Sequence, residues 1–320
     1  MKKISVLLLI FLVLTVSSVS ANGGNEKKRI YNIGVVLSDG RVSFQKNFVK
    51  HAEDYLDTKS NDAVRYNLSV VDAENNVSVQ NSQIEKLITE ADAVICFPVN
   101  REETGNLIKK IGKSGSPCVL IGNSPDTEDV GDYANVCFIE SDFEKCGELM
   151  AEVIDRVPGD CDANGDGVIS CLLIRGEGTE SDFRGKAAIA FLEENGKHTE
   201  CVLEKSANWQ RDNAREICQG ALQKFGKGID VVICDNDDMA LGVLESIESA
   251  GRKVGRDIFL IGCDADDDAL SVIKSGRMTG TVLNDVTGQS ETACDTIISM
   301  LKGDEVEKKI VFEYQNICFI

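Results

Sequence analysis

Val231-Val232-Ile233-Cys234-Asp235-Asn236-Asp237 is a short apolar, β-branched run that stops abruptly at three polar residues. Four such residues in a row read as a strand buried on both faces. Working outward, equivalent runs occur at 33–37, 68–71, 93–97, 118–121, 168–174 and 258–263. Between them apolar residues recur at helical spacing, most clearly at Ala214, Ile217, Cys218, Ala221, Leu222 and Phe225, and again at Cys146, Leu149, Met150, Val153 and Ile154. Strand and amphipathic helix in alternation predict an α/β chain of repeated βα units around parallel sheets. A single open sheet would need more strands than is usual, so the pattern favours two doubly wound lobes, with the chain first crossing between them within 135–142. Ligands of such sheets sit at the carboxyl ends of the strands. Polar residues just after apolar runs are therefore candidate contacts: Asn236 and Asp237, then Asp264, then Asn284.

The 320-residue chain, 42% hydrophobic, is long enough for substantial cores. Lys2 and Lys3, an apolar run over 4–16 and the small residues Ser17 to Ala21 have the layout of a cleaved secretory signal, expected to occupy 1–22. The apolar run is shorter than a bilayer span, and no cysteine lies near the cleavage point to carry a lipid. Cleavage removes two lysines from a chain of net charge -19 and makes it more acidic still. So acidic a surface repels phosphate backbones and argues against nucleic acid as a partner. Most of the 12 cysteines stand inside apolar runs and no CxxC pair occurs. They read as buried free thiols rather than a disulfide framework. With only His51 and His198 available, a zinc cluster is not expected.

Asp162-Ala163-Asn164-Gly165-Asp166-Gly167-Val168-Ile169-Ser170 is the most specific local signal. It sets oxygen ligands at loop positions 1, 3, 5 and 9, a glycine at the sharp turn of position 6, and the Val168 carbonyl at position 7, the spacing that wraps a calcium ion. The alternative is an acidic Asp/Asn/Gly turn without metal. Position 12 is Leu173 and not the closing glutamate of an EF-hand, so the last carboxylate must come from elsewhere in the chain. Calcium here would be structural.

At this loop, at the stretch Val231 to Gly242 and at Gly280-Thr281-Val282-Leu283-Asn284-Asp285, the chain resembles the periplasmic galactose/glucose-binding proteins of the type I solute-binding family. The resemblance runs over roughly 33–312. It implies two lobes joined by a three-stranded hinge: 30–138 with 284–308, and 139–283 with 309–320. It assigns Asp230 as the closing calcium carboxylate, one methylene shorter than the family's glutamate, beside Asp162, Asn164, Asp166, Val168 and Ser170. For the sugar it implies Trp209 and Phe44 as aromatic plates, with Asp182, Arg184, Asn236, Asp264 and Asn284 around the ring edge. Aromatics suit the apolar faces of a pyranose, and planar polar side chains suit its hydroxyl rim. Glu180 is the rival of Asp182. Trp209 would otherwise be a packing residue at a helix start, Phe44 the first residue of a stripe continued by Phe48, Ala52 and Leu56, and Asn236 and Asp264 helix caps.

Val42 and Phe97 stand where the family carries polar contacts, so galactose and glucose are expected to bind weakly or not at all, in favour of a less hydroxylated or differently substituted sugar. The expected mechanism is hinge closure on a monosaccharide, the closed form docking on an ABC importer, with a chemoreceptor or sensor kinase as the alternative reader. The chain is expected to be exported, periplasmic and monomeric. A glycosidase using Asp182 and Asp264 is the competing enzyme reading, but the sequence has no nucleophile elbow or phosphate loop. A sugar-responsive repressor shares the architecture, yet a signal peptide stands where its DNA-binding headpiece would be.

Overall fold

The computed structural model describes residues 28–125, 133–159, 161–177 and 179–318, leaving aside the side chains of 179–183 and 316–318. The expected signal segment 1–22 lies outside them. Two six-stranded sheets form. The first contains, from edge to edge, β11 (Lys309–Phe312), β5 (Val136–Ser141), β4 (Cys118–Ile121), β3 (Ala93–Cys96), β1 (Arg29–Leu37) and β2 (Val64–Asp72). The second runs β12 (Gln315–Cys318), β10 (Gly280–Leu283), β9 (Phe259–Ile261), β8 (Val231–Cys234), β6 (Ile169–Arg175) and β7 (Thr199–Ser206). All pairings are parallel except β10 with β12.

The central strands β3, β4 and β8 are buried at every residue because helices cover both faces of each sheet. In the first lobe α1 (Ser43–Lys59) and α9 (Val286–Lys302) enclose one core, and α2 (Val77–Glu90) and α3 (Arg101–Ser114) the other. In the second, α4 (Phe143–Asp155) and α5 (Thr179–Glu194) cover one face. The opposite face carries α6 (Arg211–Phe225), α7 (Asp237–Ser249) and α8 (Asp267–Lys274). The stripe from Ala214 to Phe225 lies on α6 and that from Cys146 to Ile154 on α4, both turned to their cores.

The chain passes between lobes three times: from β5 to α4, from β10 to α9, and from β11 to β12. The boundaries read from sequence need correction at two of these passes. β5 extends to Ser141 within the first sheet, and β11 pairs with it from Lys309↔Phe138 to Phe312↔Ser141. Residues 139–141 and 309–312 therefore belong to the first lobe, because a hydrogen-bonded strand pair moves as one body. No disulfide joins the 11 cysteines whose side chains are described, and all but Cys201 are buried. Burial pushes the thiols of Cys171, Cys218 and Cys294 up to about 12, so they behave as small hydrophobes.

Candidate functional site

The carboxyl ends of both sheets face one cleft, whose cavity of about 150 Å³ is lined from both lobes. On the second-lobe side, Asn236 follows β8 and caps α7. Its Oδ1 accepts from the Met239 N–H at 2.9 Å, while its Nδ2, in a residue 1% exposed, has no protein partner. The capping alternative and the ligand reading thus occupy different halves of the same amide. Asp264 follows β9 with φ 116°, and its Oδ1 accepts from Asn284 Nδ2 at 3.2 Å. Asn284 Oδ1 in turn accepts from Gln289 Nε2 at 2.7 Å and Ser141 Oγ at 3.3 Å. That chain of bonds ties the ends of β9 and β10 to the end of β5 and the start of α9, across two of the three interlobe passes.

Arg184 points from α5 into the cleft and is 2% exposed. Its Nη1 donates to the Asp235 carbonyl and its Nη2 to Tyr314 Oη at 2.8 Å. The rings of Tyr314, Phe143 and Trp209 stand 5.6, 5.8 and 5.8 Å from its guanidinium carbon. A cation among aromatic faces is held in a fixed orientation. Trp209 reaches the cleft because Asn208 and Trp209 both adopt left-handed backbone, φ 55° and 60°. The indole then lies on Gly176, where a Cβ would stand 2.1 Å from the ring, and its Nε1 donates to the Glu177 carbonyl at 2.9 Å. Asn75, Asn123, Asn208, Trp209 and Asp264 are five of the eight described non-glycine residues with positive φ, and all five line the cleft. Backbone strain concentrates at functional sites because only a purpose offsets its cost of about 1–3 kcal/mol per residue.

The first-lobe side is built differently. Phe44, in the first turn of α1, lines the cleft and also packs on the lobe core, so both of its readings hold. Val42, Phe97 and Ile121 are buried there, Phe97 set edge-on to Phe48 at 4.9 Å. Asp39 accepts from Arg41 Nε and Nη2 at 2.9 and 2.7 Å, and that fork holds its carboxyl below the usual range. Gln45 is engaged at both ends by Ser38. Asn123 (φ 47°) donates from Nδ2 to the Pro98 carbonyl at 2.9 Å, and its Oδ1 is buried with no protein partner. Two hydrogen bonds span the cleft mouth: Asn47 Nδ2 to Asp266 Oδ1 at 2.9 Å and Asn75 Nδ2 to Glu177 Oε2 at 3.2 Å.

Of the residues named from sequence, Phe44, Arg184, Trp209, Asn236, Asp264 and Asn284 share this cleft, and the side chain of Asp182 lies outside the described residues. Sequence reasoning missed Asp39, Arg41, Asn123, Gln289 and Tyr314. Asp39 and Asn123 follow β1 and β4 closely, so the strand-end rule that found Asn236 would have found them. Gln289 and Tyr314 carry no such local signal.

The 162–170 loop leads into β6, whose seven residues set it about 20 Å from the cleft. Gly165 and Gly167 take φ 76° and 87°, and the Asp162 carboxylate accepts from their N–H groups at 2.7 and 2.9 Å. Asn164 and Asp166 accept from the N–H groups of Asp166 and Val168, both at 2.9 Å. Asp230, fully buried, accepts from Ala163, Asn164 and Ser170 N–H groups at 3.1, 3.2 and 3.0 Å. Burial raises its pKa, and the nearby Asp162 and Asp166 raise it further. The donor set is all oxygen and suits a hard cation. Among the described residues, however, no three acidic, His or Cys side chains gather tightly enough to mark a metal centre.

A family described as periplasmic binding protein domain matches residues 33–305. A protein of Rhizobium meliloti named for rhizopine binding is 30% identical over 267 residues, 82% of each chain. The D-galactose/methyl-galactoside binding periplasmic protein MglB of Haemophilus influenzae is 26% identical over 325 residues, 99% of this chain and 94% of that one. The Caulobacter myo-inositol binding protein bound to myo-inositol superposes with a TM-score of 0.78 at 25% identity, over 90% of this chain and 93% of that one.

Proposed function

The chain belongs to the periplasmic binding protein domain family, and from that membership we propose that it captures a monosaccharide or related cyclic polyol between its lobes and delivers it to an ABC importer. The observation that carries this reading is the convergence of Arg184, Asn236, Asp264 and Asn284 with the rings of Trp209 and Phe44 in one cavity between the lobes. Planar polar groups meet a hydroxyl rim while flat rings meet the C–H faces. Proteins of this family bind their solutes and release them unchanged, so the paired carboxylates of the glycosidase reading have no reaction to perform.

The ligand bridges both lobes and stabilises the closed form by its greater affinity for that state. An ABC permease then reads the closed shape, with a chemoreceptor or sensor kinase as the alternative reader of the same surface. The protein acts as a monomer, exported by the signal at 1–22. Val42 and Phe97 in the cleft support weak or absent binding of galactose and glucose. Calorimetry of the purified protein against a panel of pentoses, hexoses, deoxyhexoses, inositols and their methyl ethers tests the reading. Silence across the whole panel overturns it.

At the far end of the second lobe, Asp162, Asn164, Asp166, the Val168 carbonyl, Ser170 and Asp230 would hold calcium. Its role there is to neutralise a buried carboxylate and two neighbours of like charge, which supports the oxygen-rich spacing as a cation site.

A further inference from the structure

The two walls of the cleft ask different things of a ligand. From the second lobe Arg184, Asn236, Asp264 and Asn284 present polar atoms, each residue at most 7% exposed. From the first lobe Val42, Phe97 and Ile121 present carbon alone. The polar side chains beside them are already engaged, Asp39 by Arg41 and Gln45 by Ser38. Asn123 keeps a buried side-chain atom without a protein partner. The Pro98 carbonyl can only accept, so it fixes Nδ2 as the half that faces it and leaves Oδ1 as the buried, unpartnered half. Asn236 is its mirror image across the cleft. The Met239 N–H can only donate, so it claims Oδ1 and leaves Nδ2 unpartnered. The orientation of each amide is thus set by a backbone group of fixed sense, and a lining residue of each lobe keeps one buried, unsatisfied atom of opposite character.

On the reading of this cleft as a sugar site, we infer that the ligand is a cyclic polyol with a deoxygenated or alkyl-capped edge. That edge, bearing a methyl, methoxy or methylene group in place of a free hydroxyl, lies against Val42, Phe97 and Ile121. A hydroxyl or amine elsewhere on the ring donates to Asn123 Oδ1, and an oxygen accepts from Asn236 Nδ2. A free hydroxyl turned to the carbon wall would be buried without a partner, whereas a methyl group there gains burial. The capped ligand is therefore favoured about ten- to a hundredfold over its hydroxylated parent.

Calorimetry on matched pairs reads this ratio directly, with D-galactose against its 6-deoxy counterpart D-fucose, and myo-inositol against each of its monomethyl ethers. At least one capped member is expected to bind about tenfold or more tightly than its parent. Phe97→Asn and Val42→Thr, checked for folding by circular dichroism, are expected to shrink that ratio, and Asn123→Ala to weaken capped and parent ligands alike. Parents binding as tightly as every capped member overturns this inference and leaves the sugar-binding reading standing. No heat from any member overturns both.

Discussion

Asn236 serves α7 with one half of its amide and the cleft with the other, and substitutions that separate the halves test both roles. Asn236→Ser keeps a capping oxygen but removes the Nδ2 that is left for the ligand. Its melting temperature is expected to stay within a few degrees of wild type while affinity falls about tenfold or more. Asn236→Ala loses the same affinity and a further ~1 kcal/mol of stability with the cap. Gly176→Ala acts from behind the site. The new methyl would overlap the Trp209 ring, so the indole must shift, with an expected loss of about 1–3 kcal/mol and of tight binding. Trp209 is the only tryptophan, so a displaced emission maximum that no longer responds to ligand is the readout. An unchanged spectrum would show that the ring does not depend on this glycine. Asn236, Asp264 and Asn284 were legible in the sequence because a polar residue at the end of a buried run has few other reasons to be there. Tyr314 was not, since it meets Arg184 over a separation of 130 residues that no local pattern encodes.

The all-apolar strands β3, β4 and β8 announce themselves as elements, but the edge strands β7, β11 and β12 do not. β7 has no fully buried residue and β11 alternates exposed and half-buried ones, so neither carries an unbroken apolar run. β5 lies inside the segment read as a crossing; pairing with β4 places it in the first sheet, and β11 joins that sheet through it from late in the chain. The 162–170 loop, proposed above to hold calcium, is the element whose spacing speaks most clearly. Adding calcium to metal-free protein is expected to raise the melting temperature, equivalent to about 2.7 kcal/mol at a hundredfold excess over Kd. Asp162→Ala is expected to abolish the increment, whereas indifference of the wild type to millimolar calcium would leave a loop held by its own N–H groups. The start of α7 carries a pH dependence of its own. Asp237 is fully buried, accepts from Thr281 Oγ1 at 2.7 Å and the Asp266 N–H at 3.0 Å, and is pushed well above the usual carboxylate range by burial and then by Asp264. A carboxyl whose folded pKa lies above its unfolded value binds its proton more tightly when folded. Its contribution is therefore complete at low pH and is lost as pH rises from about 4 through the folded value. In Asp237→Asn the amide oxygen can accept from Asp266 and the Nδ2 can donate to Thr281. The variant is expected to gain stability over wild type as pH rises from 4 to 8, and parallel melting curves across that range would refute the assignment.

Three short passes join the lobes, and among the described residues a few polar groups hold them together at the mouth of the cleft. The bonds from Asn47 to Asp266 and from Asn75 to Glu177 join residues 219 and 102 apart in sequence, one partner from each lobe, so they form only when the lobes close. The Asn47–Asp266 bond lies outside the cavity lining, whereas Asn75 and Glu177 belong to it, so the second bond sits at the edge of the ligand space. Each such bond contributes about 1 kcal/mol net, so removing both lowers the closed-to-open ratio about thirtyfold. A ligand that binds the closed form must then close the molecule against that larger deficit, and its apparent affinity falls by up to the same factor. In the double variant Asn47→Ala and Asn75→Ala, small-angle scattering is expected to show a larger radius of gyration without ligand and the wild-type value at saturation. A variant equally compact in both conditions would mean that the passes themselves hold the lobes together and that closure does not depend on these two amides.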